Sequence, residues 1–132
     1  LGFKSTAAAL STRLMGWKVC DDATAITVGD GKVIFSIPPI LNGMNLVSVF
    51  ASVSTVSSSG TPTVTIYNLT DSVDMLSTAL TIDATEYDSS TATAAVIDTA
   101  HDDVATGDRL EINVDTAGTG AKGLFVILGF SA

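Results

Sequence analysis

His101 is the single histidine of the chain and stands in Ala100-His101-Asp102-Asp103, where an imidazole beside carboxylates could act as a general base or a metal ligand. Either role needs companions at defined spacing, and none of the right kind accompanies it. The segment runs into Gly107-Asp108, a turn signal, so His101 reads as a surface-loop residue. Cys20 is the single cysteine. It could in principle pair with His101 as a nucleophile, but Asp21 and Asp22 place negative charge beside it, the reverse of what activates a thiol. It reads as a structural thiol. With one cysteine and one histidine, the ligand count for zinc is not reached.

The acids offer more. Asp71 with Asp74, Asp83 with Asp88, Asp98, and the Asp102, Asp103 and Asp108 group could supply oxygens to calcium between loops. None has the spacing of an EF-hand loop, and acidic loops on an acidic chain are usually just solvated. A glycosidase-type acid pair would need sugar-stacking aromatics, and Trp17, Tyr67 and Tyr87 are a thin supply. Asn68-Leu69-Thr70 matches the glycosylation sequon, a tripeptide common by chance. Gly118, Gly120 and Gly123 lack the Gly-Lys-Ser/Thr ending of a phosphate loop and join two strand-like runs. No catalytic, cofactor or metal residue is assigned, and the expectation is a protein that is not an enzyme.

The elements that carry these residues are strands. Arg109 to Asp115 alternates most cleanly, with Leu110, Ile112 and Val114 on one face and Glu111, Asn113 and Asp115 on the other. Residues 63–67 set Val64 and Ile66 against Thr63, Thr65 and Tyr67. Residues 25–28 lead into a predicted turn at Gly29-Asp30-Gly31, and 32–37 follow as a strand ended by Pro38-Pro39. Residues 45–54, 78–83 and 93–97 are further candidates. Residues 124–130 are apolar on both faces, as a strand covered on two sides would be. Ser57 to Pro62 reads as a flexible loop. About seven or eight short strands at this spacing predict an all-β domain, an antiparallel β-sandwich or jelly roll, over residues 23–132.

Residues 1–22 differ. The first twenty carry Lys4, Arg13 and Lys18 and no acid, whereas the rest carries all fourteen acids against Lys32, Arg109 and Lys122. Lys4 before Ala7-Ala8-Ala9-Leu10 hints at a secretory leader, but Ser11, Thr12 and Arg13 interrupt the apolar run. Leu10, Leu14 and Trp17 recur at helical spacing, so the segment is predicted to be an extended or short-helical arm. Too short to order alone, it must pack on its own domain or reach a neighbour. Lys4, Leu10, Arg13, Leu14, Trp17 and Lys18 are the candidate interface residues.

Composition narrows the partners. A formal net charge of -8 argues against nucleic acid and against an anionic membrane surface. A mean hydropathy of +0.46 with only 15% charged residues suggests apolar surface beyond one small core, as a homo-oligomer, dimer or trimer, would cover.

The stretch from Gly31 to Phe130 resembles the small β-rich structural proteins of tailed bacteriophage particles. The likeness lies in Phe35-Ser36-Ile37-Pro38, Leu41-Asn42-Gly43-Met44-Asn45-Leu46, Thr63-Val64-Thr65-Ile66-Tyr67-Asn68, Asp74-Met75-Leu76-Ser77, Gly107-Asp108-Arg109-Leu110 and Gly123-Leu124-Phe125-Val126. It covers about three quarters of the chain and brings no catalytic residue. It implies a head decoration (cement) protein of the virion that binds the major capsid protein through its arm. On that reading, removal of residues 1–20 should abolish shell binding and leave the body folded. The alternative is a receptor- or carbohydrate-binding module of a tail or fibre, its glycan near Tyr67 or Tyr87.

Overall fold

The computed structural model describes residues 11–132, and they form an all-β, antiparallel fold consistent with a β-sandwich. Ten strands follow in order: β1 (Arg13–Lys18), β2 (Gly29–Ser36), β3 (Asn45–Ser52), β4 (Thr63–Asn68), β5 (Val73–Asp74), β6 (Leu76–Thr78), β7 (Leu80–Thr81), β8 (Val96–Ile97), β9 (Arg109–Thr116) and β10 (Phe125–Ser131). The count exceeds the seven or eight expected. Part of the excess is one ragged run, 73–81, which breaks into β5, β6 and β7 as its pairing passes from β4 to β8 and back.

One large sheet has the order β1-β10-β3; the other has β2-β9-β4-β5, with β7 also on β4; β6 and β8 form a small two-stranded sheet of their own. Between the two large sheets, buried side chains of both meet: Leu46 and Ala51 of β3, Val126, Leu128 and Phe130 of β10, Val64 and Ile66 of β4, and Leu110, Ile112 and Val114 of β9. The period-2 pattern dictates this on β4 and β9, where an inward apolar residue at every second position leaves one register that buries the set. On β3 the register shift opposite Gly129 and Phe130 lets Leu46 and Ala51, of opposite parity, share the inner face.

Of the two forms expected for the arm, Arg13–Lys18 takes the extended one, because β10 offers it a ladder from Arg13↔Phe130 to Lys18↔Phe125. Other local expectations change. Gly29-Asp30-Gly31 is not a hairpin turn but a bulge inside β2, where the register jumps between Gly29↔Val114 and Val33↔Ile112. Gly31 takes φ +64, and its N–H donates to Asn113 Oδ1 at 2.7 Å. Ser57 is not on a loose loop. It is 1% exposed, its Oγ donates to the carbonyls of Ser59 and Gly60, and it accepts from Thr119 N–H at 2.9 Å. β10 is fully covered on one face and only partly on the other, where Phe125 and Ile127 stay half-buried.

Asn68 is fully buried, which removes the sequon from any acceptor role in the folded chain. Its Nδ2 donates to Asp108 Oδ2 at 3.2 Å and to Asp71 Oδ2 at 3.3 Å, while Ala105 N–H donates to the same Asp108 oxygen at 3.1 Å. This network fastens the turn after β4 to the turn before β9. Asp108→Ala should therefore cost about 2 kcal/mol in a denaturant melt, because it leaves buried donors without their acceptor.

Candidate functional site

The predicted interface residues divide. Lys4 and Leu10 lie outside the described residues; Arg13, Leu14, Trp17 and Lys18 all fall on β1. Side chains alternate across the strand, so Met15 and Trp17 turn to the core margin while Leu14 and Lys18 take the outer face. Trp17 stacks on Phe35 of β2, ring centroids 3.9 Å apart and planes 23° from parallel. The arm's largest aromatic thus packs on its own domain. Arg13 is exposed at the start of the strand. On the outer face the Phe125 ring lies over Gly16, and Lys18 Nζ sits 5.7 Å above that ring while pairing with Asp22.

That stack also places the two sheets. β1 ends one sheet and β2 ends the other, and the Trp17–Phe35 contact sets both ends on the same flank of the sandwich. Ladder alternation shows which backbone groups face outward. Ala51 N–H points away from β10, to Ser89 Oγ, so Val126 must pair toward β1, which makes Trp17↔Val126 and Met15↔Leu128 the bonded pairs. Val19 N–H donating to Leu124 O at 2.8 Å fits the same alternation. The peptide groups of Leu14, Gly16 and Lys18 therefore face off the sheet, with no strand beside them among the described residues. On β2, Ile37 N–H donates to Asp108 O, so Ile34 and Ser36 present their peptide groups outward in the same way. Leu14 is 67% exposed and Ile34 45%. Two open edges, apolar residues beside them and an aromatic seam between them form one flank. Sequence reasoning marked β1 by its charge but gave no sign of β2 as its companion, since nothing in residues 29–36 announces an edge.

The histidine and the thiol stay apart. His101 Nδ1 bonds Asp98 Oδ2 at 2.8 Å on an exposed turn, while Cys20 Sγ lies against Thr24 O and accepts from Leu124 N–H. The His101 hydrogen bond first, and the Ala100 N–H second, hold Asp98 below the ordinary aspartate value of 3.8. A depressed carboxylate contributes stability that is present above the unfolded pKa and lost as pH falls through the folded one, so this turn should loosen only on the acid side of 3.8. A carbon-detected titration of Asp98 should show the low midpoint, and His101→Ala should move it back up.

Among the described residues no group of three or more histidine, cysteine or acidic side chains is arranged to hold a metal ion. Two depressions stand out on the surface of the described residues. One, of about 500 Å³, is apolar and lies between β3 and residues 89–97, with Val47, Phe50 and Val96 exposed along it. The other, of about 600 Å³, lies on the outer face of the five-stranded sheet around Tyr67, Glu111 and Asn113. No helix among the described residues is long and apolar enough to cross a membrane. Comparison with protein-family models, with curated proteins and with solved structures returned no match, so this chain is read from its own residues and geometry.

Proposed function

We propose that the chain is a structural assembly protein, not an enzyme, that fastens to a protein shell by adding the shell's extended segment to its open flank. The observation that supports this most is the pair of unpaired edges, β1 and β2, on one side of the sandwich. Natural sheets blunt or cover their edges, as the bulge in β2 does at that strand's start; β1 carries neither bulge nor proline and leaves an edge on which another chain can pair. The residue resemblance to bacteriophage decoration proteins supplies the setting, a virion capsid surface with the major capsid protein as partner.

Charge indicates the kind of strand that would dock. In the antiparallel register that pairs all six residues of two β1 strands, Arg13 faces Lys18 of the other copy, and like charges directly opposed are unfavourable. β1 is thus set against its own copy and toward an acidic partner strand. A dimer or trimer of this protein would use other surface, for which the apolar groove beside β3 is available.

Leu14→Pro tests the proposal. It removes an outward N–H that no strand of the sandwich uses, so the fold should lose no more than about 1 kcal/mol. Co-sedimentation with purified shells should nevertheless fall to background, and wild-type binding should weaken with added salt. Undiminished binding by the folded proline variant would refute strand addition at β1. Truncations need a different boundary from the one the sequence suggests. β1 covers the edge of β10, so removing residues 1–20 strips a strand from the sandwich, and the informative deletion ends at residue 10.

A further inference from the structure

The depression on the outer face of the five-stranded sheet is built from side chains that the flank does not use. Along β9, Glu111, Asn113 and Asp115 alternate with the buried Leu110, Ile112 and Val114 and so face outward together. Tyr67 sits in the same row, directly between Glu111 of β9 and Asp74 of β5. The bulge in β2 brings Asp30 to the rim. Four carboxylates therefore line a hollow of about 600 Å³ with no Lys, Arg or His in its wall. None of the four belongs to either ion pair of the described residues, Lys18–Asp22 and His101–Asp98.

Acids alone would say little, but Asn113 is an independent observation. It is 7% exposed, its Oδ1 is taken by the Gly31 N–H, and its Nδ2 has no partner among the described residues. No buried side-chain nitrogen or oxygen among the described residues lacks a partner, so this Nδ2 is open to solvent where Asn113 lines the hollow, and its N–H groups are free to donate to an acceptor on a ligand.

The ligand must then donate to carboxylates and accept from an amide. Hydroxyl groups do both, whereas ammonium and guanidinium groups only donate. A peptide could accept through its carbonyls, but the floor of the hollow is β9 and β4, each paired on both sides, so a peptide lying there would find no free ladder. Tyr67, part-exposed between two acids, offers a ring face to a pyranose. The unbalanced carboxylates select for positive charge in a setting where charge-assisted hydrogen bonds are the strong ones.

We propose that this hollow binds a short oligosaccharide carrying free amino groups. The site meets the open flank only at its rim, through Asp30 of β2, and does not depend on the assembly reading.

Calorimetry on the full chain with short glucosamine oligomers, their N-acetylated counterparts and oligolysine is the test. Glucosamine oligomers should bind at low salt. Tyr67→Ala, or Glu111→Gln combined with Asp74→Asn, should weaken them roughly tenfold or more. Both variants change surface side chains, and a native melting curve checks each. N-acetylated oligomers, with the same hydroxyls and no ammonium, should bind weakly or not at all, and Leu14→Pro should change nothing. Absence of glucosamine binding, equal binding of the N-acetylated sugars, or oligolysine binding that survives Tyr67→Ala would each overturn the proposal.

Discussion

Truncating Phe130 to alanine should destabilise the protein by about 4 kcal/mol, the upper range for removing a buried aromatic. Phe130 is fully buried on β10, the strand held between β1 and β3, and it is among the largest of the fully buried side chains. Its neighbours on the inward face, Val126 and Leu128, are equally buried, so little can collapse into the space it leaves. Natural domains rest on roughly 5–15 kcal/mol, so the loss would consume a large share of the total. In a thermal melt it should appear as a drop of roughly 15 °C. Phe50 is the control. It is 37% exposed on the outer face of the neighbouring strand, and Phe50→Ala should cost well under half as much. Equal effects from the two would mean that the core does not lie between the sheets as described.

The second large effect is expected at Gly118, where alanine should cost about 3 kcal/mol. Two causes add. Gly118 has φ +67, a left-handed backbone that a side chain resists. A Cβ there would also lie 2.9 Å from Ser57 Cβ and 3.1 Å from Pro62 Cδ, and would collide with Ser57 Oγ. That hydroxyl is the one bonding the serine loop to Thr119 N–H, so the alanine cannot be accommodated without breaking the connection. Gly120 separates the two causes. Its φ is +74, but a Cβ would meet nothing within 4 Å, so Gly120→Ala should show only the conformational cost, about 1 kcal/mol. Urea melts of both variants provide the comparison.

The strands were legible where alternation is enforced by burial. Val64 and Ile66 on β4, and Leu110, Ile112 and Val114 on β9, read correctly because one face of each strand meets the core and the other meets solvent. Legibility failed where tertiary contact overrides a local signal. Gly29-Asp30-Gly31 has the composition of a tight turn, yet Asn113, far along the chain, captures Gly31 and turns the segment into a bulge. Ser57 sits in a run that looks like linker, and only its bonds to Thr119 and to its own loop reveal a buried anchor. Leu14 and Trp17 fit a helix by spacing, but an available ladder on β10 outweighs the propensity of six residues.

The candidate surfaces show the same division. The basic character of β1 is a property of composition and was plain. That β1 and β2 share a flank is a property of topology, visible only through the contact of Trp17 with Phe35. The hollow around Tyr67 was hinted at by that aromatic alone. Glu111 and Asn113 looked like ordinary solvent-facing residues of a good strand, and it is the bulge in β2 that encloses them.

Docking through the open flank, as proposed, carries a consequence for abundance. A protein that fastens to a shell by strand addition has one docking place for each repeat of that shell. The decisive measurement is the copy number of this chain in purified particles, relative to the major shell protein, by quantitative mass spectrometry. The account predicts a stoichiometry comparable with that of the shell protein, reduced by the Leu14→Pro substitution. Absence from particles, or a few copies confined to one vertex or the tail, would contradict it.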